Sequence, residues 1–97
     1  MRFHSMAMTV IAPISRKDDE GENVAFVHCA ERDRNGESRY VIAYFGKAAD
    51  EIPDEAEIGS MFVATGSVIG HKNGKYGAFV LLRGETYEPM DERRHRS

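Results

Sequence analysis

The sequence predicts an all-β fold: a five-stranded Greek-key barrel with one short helix between its third and fourth strands. Three observations carry the prediction. Runs of β-branched and apolar residues recur along the chain at strand length. Two of the breaks hold an Asn-Gly pair, Asn35-Gly36 and Asn73-Gly74, which suits a tight type I′ hairpin because both residues tolerate positive φ. The one segment rich in helix-favouring alanine and glutamate falls between the third and fourth runs.

The elements follow in order. "MAMTVIAPI" is the first strand, ending near Pro13 or Ile14, and the charged "SRKDDEGE" behind it reads as a loop. "NVAFVHCAE" and "RYVIAYF" are the second and third strands, joined as a hairpin. In the connector "GKAADEIPDEAEIG", Pro53 is expected to open a short helical turn. Asp54 and Glu55 would then occupy its first positions, where the helix dipole favours acids, and Gly59 would end it. "SMFVATGSVI" and "YGAFVLLRGETY" are the last two strands, linked by "GHKNGK". Gly66 inside the fourth strand suits the bend a small barrel needs. Strand, strand, strand, helix, strand, strand is the order of the OB-fold. One domain is expected over residues 6–88, with flexible termini at 1–5 and 89–97.

With 97 residues the chain can bury one small core and not two. No apolar run approaches the ~18 residues that span a bilayer. The start, "MRFHSMAMTV", lacks an apolar stretch of signal-peptide length, so a cytoplasmic protein is expected. Met6 and Met8 are alternative candidate starts. The single cysteine, Cys29, excludes an internal disulfide. Net charge is −3, yet residues 48–70 hold five acids and no lysine or arginine, leaving 13 basic against 11 acidic side chains elsewhere. A basic face can therefore coexist with an acidic connector.

Nothing in the sequence points to catalysis. No nucleophile stands with a base, and no glycine-rich phosphate loop precedes a helix. No metal or other cofactor is expected: His28 and Cys29 are adjacent in a strand and face opposite ways, while His4, His71 and His95 are scattered. "KYGAFV" has a slight likeness to the cold-shock RNA-binding signature, but it sits in the last strand rather than early in the barrel.

Four segments, in order, carry a family resemblance. They are "APISRKDDE" (12–20), "GENVAFVHCA" (21–30), "FGKAADE" (45–51) and "IGSMFVATGSV" (58–68). From Thr9 to Leu82 the chain resembles the bacterial single-stranded DNA-binding proteins, and "GSMFVATGSVI" is also similar to a strand of the related primosomal replication protein. It departs from the family in having no tryptophan, and in ending in "RRHRS" rather than an acidic tail. The resemblance implies a non-catalytic protein of DNA replication, repair or recombination that binds single strands with little sequence preference. It further implies a homo-dimer or homo-tetramer, with replication or primosome proteins as further partners. The alternatives are a primosomal accessory protein, or an OB-fold protein–protein module that has lost DNA binding.

The resemblance places Phe45 on the nucleic-acid face, and alternation then puts Arg39, Val41 and Ala43 there. In the second strand the resemblance implies that Ala25, Val27 and Cys29 are buried, leaving Phe26 and His28 beside that face. Phe45 and Phe26 are candidates to stack bases, Arg39 to stack or pair, and Lys47 to neutralise phosphate. Phe26 has a competing reading as core or subunit interface. The loops add Lys17, with Arg16 beside it, then Arg34, then Lys72, Lys75 and Tyr76, with His71 among them. "RRHRS" reads as a solvated tail or as an electrostatic foot on nucleic acid.

Overall fold

The computed structural model describes residues 2–54, 56–75 and 77–90. Its strands are β1 (Arg2–Val10), β2 (Ser15–Asp19), β3 (Glu22–Asp33), β4 (Gly36–Phe45), β5 (Met61–Gly74) and β6 (Gly77–Pro89). A four-residue helix, α1 (Lys47–Asp50), lies between β4 and β5. The strand order β1-β5-β6-β4-β3-β2 is closed by a further β1–β3 pairing. Every neighbouring pair is antiparallel except β4 and β6, which run parallel. The result is a closed five-stranded OB-fold barrel, with β2 extending from β3 as an outer edge.

Four local expectations are corrected. The first strand breaks at Val10 and resumes at Ser15. Val10 opposes Cys29 and Ser15 opposes Phe26, so five steps on this side match three on β3. Two residues are extra, and Pro13, which has no N–H to give a ladder, lies inside the bulge. The charged stretch taken as a loop is strand β2, because an edge strand tolerates charge on both faces; only Glu20 and Gly21 turn, both with positive φ. The helix precedes Pro53 instead of following it. Gly46 opens it at φ 58, ψ −124, a conformation glycine alone adopts without strain, and the restriction proline places on the residue before it disfavours continuation through Ile52. Neither later hairpin turns at its expected Asn-Gly pair. Arg34-Asn35 lies between the opposed Asp33 and Gly36, and Asn73 and Gly74 remain in β5 opposite Ala78 and Gly77. At the N-terminus, β1 reaches back to Arg2, which opposes Ser67.

The core follows from alternation. Ala25, Val27 and Cys29 of β3, Ile42 and Tyr44 of β4, Phe62 and Ala64 of β5 and Leu82 of β6 turn inward with Met8 and Val10. Ala49 of α1 and Ile52 behind it join the same cluster. Tyr44 satisfies its buried hydroxyl by donating to the Thr86 carbonyl at 2.9 Å. Tyr87 stacks on Phe62 at 4.5 Å and meets Tyr44 edge-on at 6.2 Å. The barrel bends where β5 and β6 shift register between Thr65 and Gly66, with Gly66 opposite Gly84.

Cys29 lies fully inside, its Sγ 3.3 Å from Met8 Sδ. Burial pushes its thiol from 9.0 up to about 12. Between those values the unfolded chain has lost a proton that the folded chain keeps. Stability contributed by this group is therefore complete below pH 9.0 and lost as pH rises toward 12. A urea series is expected to show the unfolding free energy falling through this range, by on the order of 1 kcal/mol per pH unit. Cys29→Ala is expected to flatten the slope.

Candidate nucleic-acid interface

One sheet face stands outside the core cluster. The pairings Phe26↔Ala43 and His28↔Val41 join β3 to β4, and Ala43↔Arg83 and Val41↔Leu81 join β4 to β6. Pairing puts these residues on one face, opposite to Ile42 and Leu82. Val41 and Ala43 are themselves buried, at 9% and 3% exposure, yet neither belongs to the core cluster. Phe26, His28 and Phe45 are half-buried on this face, and Arg83 is exposed.

Phe45 is not a bare ring. The Arg83 guanidinium sits over it at 4.5 Å from the centroid, a cation–π contact. Arg83 opposes Ala43, which lies two residues before Phe45 on β4 and on the same face. Lys17 extends the row at Phe45, since Lys17 opposes Val24 and Val24 opposes Phe45. Lys47 follows Gly46 as the first residue of α1 and is exposed.

Farther along the face a cleft of about 680 Å³ opens between the β3–β4 and β5–β6 hairpins. It is lined by His28, Arg39 and Val41 of the expected face, by Lys75, and by Phe79, Arg32 and Glu37. Phe79 lies against the hairpin because residue 74 is glycine; a Cβ there would stand 2.9 Å from Phe79 Cε1. Lys72 on β5 opposes Phe79 on β6 and therefore shares its face of the ladder, on a strand rather than in the expected loop. Arg34 is exposed at the β3–β4 turn. Tyr76 lies outside the described residues.

The structure thus brings Phe26, His28, Arg39, Phe45, Lys72, Lys75 and Lys17 onto or around one face. Arg16, considered beside Lys17, belongs elsewhere. It opposes Ala25 and donates to the Ala49 carbonyl at 3.0 Å, to the Ile52 carbonyl, and to Asp54 at 2.9 Å. This guanidinium fastens the acidic connector to β2. Arg16→Ala is expected to cost about 1–3 kcal/mol in urea denaturation, since two backbone carbonyls lose a charged donor.

Sequence reasoning missed Arg83, Phe79, Arg32 and Glu37. Alternation about the apolar "VLL" run would have found the first two, because Leu82 inward sends 79, 81 and 83 outward. Among the described residues no group of three or more His, Cys, Asp or Glu side chains converges as a metal site.

The closed barrel with its open outer face is the OB-fold architecture. No family model matches the chain, and no curated protein matches it in sequence. Among solved structures it is similar to wild-type single-stranded DNA-binding protein from Thermus aquaticus, with TM-score 0.68 and 19% identity over 91% of this chain. It is also similar to a deletion mutant of that protein, with TM-score 0.66 and 16% identity over 93% of this chain. The chain spans about half the length of these structures, covering 49% and 53% of them. What the likeness establishes is the shared fold.

Proposed function

We propose that this protein binds single-stranded DNA across the outer face of β3, β4 and β6, without catalysis, in DNA replication, repair or recombination. The observation that carries the reading is the convergence of flat and cationic groups on that face. Phe26, Phe45, His28 and Phe79 offer ring surface; Arg83, Arg39, Lys72, Lys75 and Lys17 offer positive charge. An unpaired strand presents those complements, base π-faces and one phosphate charge per nucleotide. OB-folds take oligonucleotides on this face, between the hairpin loops. The structurally similar Thermus aquaticus protein is a single-stranded DNA-binding protein, which supports the same ligand here.

The acidic connector does not oppose the reading. Asp54 pairs with Arg16 and Asp50 accepts from Asn23 at 2.8 Å, on a separate surface from the cleft. The reading includes a homo-oligomer in a cytoplasmic, nucleoid-associated setting. The outer edge of β2, whose only strand partner among the described residues is β3, is free for strand pairing.

Amide chemical-shift mapping with an oligo-dT tests the placement. Perturbations are expected at 26–28, 39–45 and 79–83, and not at 50–54. Perturbations centred on the connector, or none with a saturating oligonucleotide at low salt, would contradict it.

A further inference from the structure

The cleft at the hairpin end of the face holds a carboxylate, an odd group for a surface that binds a polyanion. Glu37 opposes Arg32 across the β3–β4 hairpin and accepts from its Nε through Oε1 at 3.0 Å. Its other oxygen, Oε2, lies 3.5 Å from Nε of Arg39. A cross-strand ion pair needs one arginine; here a second stands against the same carboxylate, and all three residues line the cleft with Phe79. These two contacts use one acceptor position on each oxygen, of about four that a carboxylate offers. The guanidiniums thus offset the charge of Glu37 and orient it, and these contacts among the described residues leave one further acceptor position per oxygen.

We propose that this cleft selects guanine. The inference rests on the single-strand reading above and adds base preference to it. Among the four bases only guanine carries two adjacent donors on its Watson–Crick edge, N1–H and N2–H, and they match the two oxygens of one carboxylate. Adenine and cytosine each offer a single amino group there, and thymine sets its one N–H between two carbonyl oxygens that repel a carboxylate. The ring of the entering guanine lies against Phe79, Glu37 accepts from N1 and N2, and Arg39 donates toward O6 and N7. Arginine donation to O6 and N7 is the commonest specific contact to this base. Unpaired bases are read on just these edges. The cleft volume of about 680 Å³ falls within the range of small-ligand pockets, roughly 300–1,000 Å³, so one base with its sugar fits.

The test is fluorescence anisotropy with short labelled oligo-dT carrying one central dG, compared with all-dT, central dA and central deoxyinosine. Deoxyinosine keeps N1–H and O6 and lacks the 2-amino group. The dG oligonucleotide is expected to bind about tenfold tighter than all-dT, the scale of one bidentate base contact. Deoxyinosine is expected to lose most of that advantage, and Glu37→Gln to bring the dG to dT ratio within about twofold of unity. Equal affinity for dG and dT, with dT still bound, overturns guanine selection and leaves the single-strand reading standing. A dG preference unchanged in Glu37→Gln overturns the assignment to this carboxylate. Failure of all four oligonucleotides to bind at low salt overturns both readings together.

Discussion

Gly84→Ala is expected to destabilise the barrel more than a methyl added at Gly21, Gly36, Gly46, Gly59, Gly70, Gly74 or Gly77. A Cβ at this position would stand 2.3 Å from Tyr44 Cε1, 2.5 Å from Cζ and 2.7 Å from Ile42 Cγ2. Neither neighbour can yield. Tyr44 is fully buried, its hydroxyl is tied to the Thr86 carbonyl, and its ring meets Tyr87 edge-on. Overpacking of a tight core costs about 1–3 kcal/mol and sometimes more. With a rigid ring edge in the way the upper end applies, against a total of ~5–15 kcal/mol for a domain of ordinary stability. Each kcal/mol lowers the melting midpoint of a domain this size by roughly 4–8 °C. Thermal denaturation followed by circular dichroism checks this, with Gly70→Ala as control. Gly70 has nothing within 4 Å of a Cβ, so that variant is expected to stay within about 0.5 kcal/mol of the parent. A Gly84→Ala protein as stable as the control would mean that Tyr44 does not pack over residue 84.

Phe45→Ala has the largest expected effect on binding. Stacking contributes about 1–3 kcal/mol per base, so the dissociation constant should rise roughly 5- to 150-fold. Arg83→Ala should weaken binding too, because the guanidinium over Phe45 both covers the ring and carries charge. The two residues act as one platform, so the double variant should lose less than the sum of the singles. Arg83→Lys separates the two contributions: it keeps the charge and the salt dependence while losing the planar group. Circular dichroism of each variant guards against loss of fold, and Phe45 is not a member of the core cluster, so the barrel is expected to survive its truncation. Binding of Phe45→Ala within twofold of the parent would remove this ring from the site.

How far the sequence foretold this arrangement depends on what set each feature. Alternation in "RYVIAYF" sorted Ile42 and Tyr44 from Val41, Ala43 and Phe45, because a strand with one buried face leaves its period in the residues. The barrel order was legible for the same reason. Strand β2 was not, since its ladder rests on backbone bonds to β3 while its side chains are those of a loop. The helix was displaced because Gly46 and Pro53 act on backbone angles. Glycine opened the turn and proline closed it, and the acidic residues that looked like a helix start followed that stop. Hairpin turns slipped off the Asn-Gly pairs where register across ten and twelve paired positions outweighed the local preference of Asn-Gly. Arg83 and Glu37 gain their meaning from partners on other strands, Phe45 on β4 and Arg32 on β3. Local pattern alone does not show such pairs.

The most direct measurement is fluorescence anisotropy of labelled poly-dT titrated with this protein at two salt concentrations, with Phe45→Ala alongside. Tight binding that weakens as salt rises, and weakens further in the variant, is the result expected if bases stack on Phe45 and cations neutralise phosphate. No binding at low salt would contradict the single-strand reading and turn attention to a protein partner for the same face.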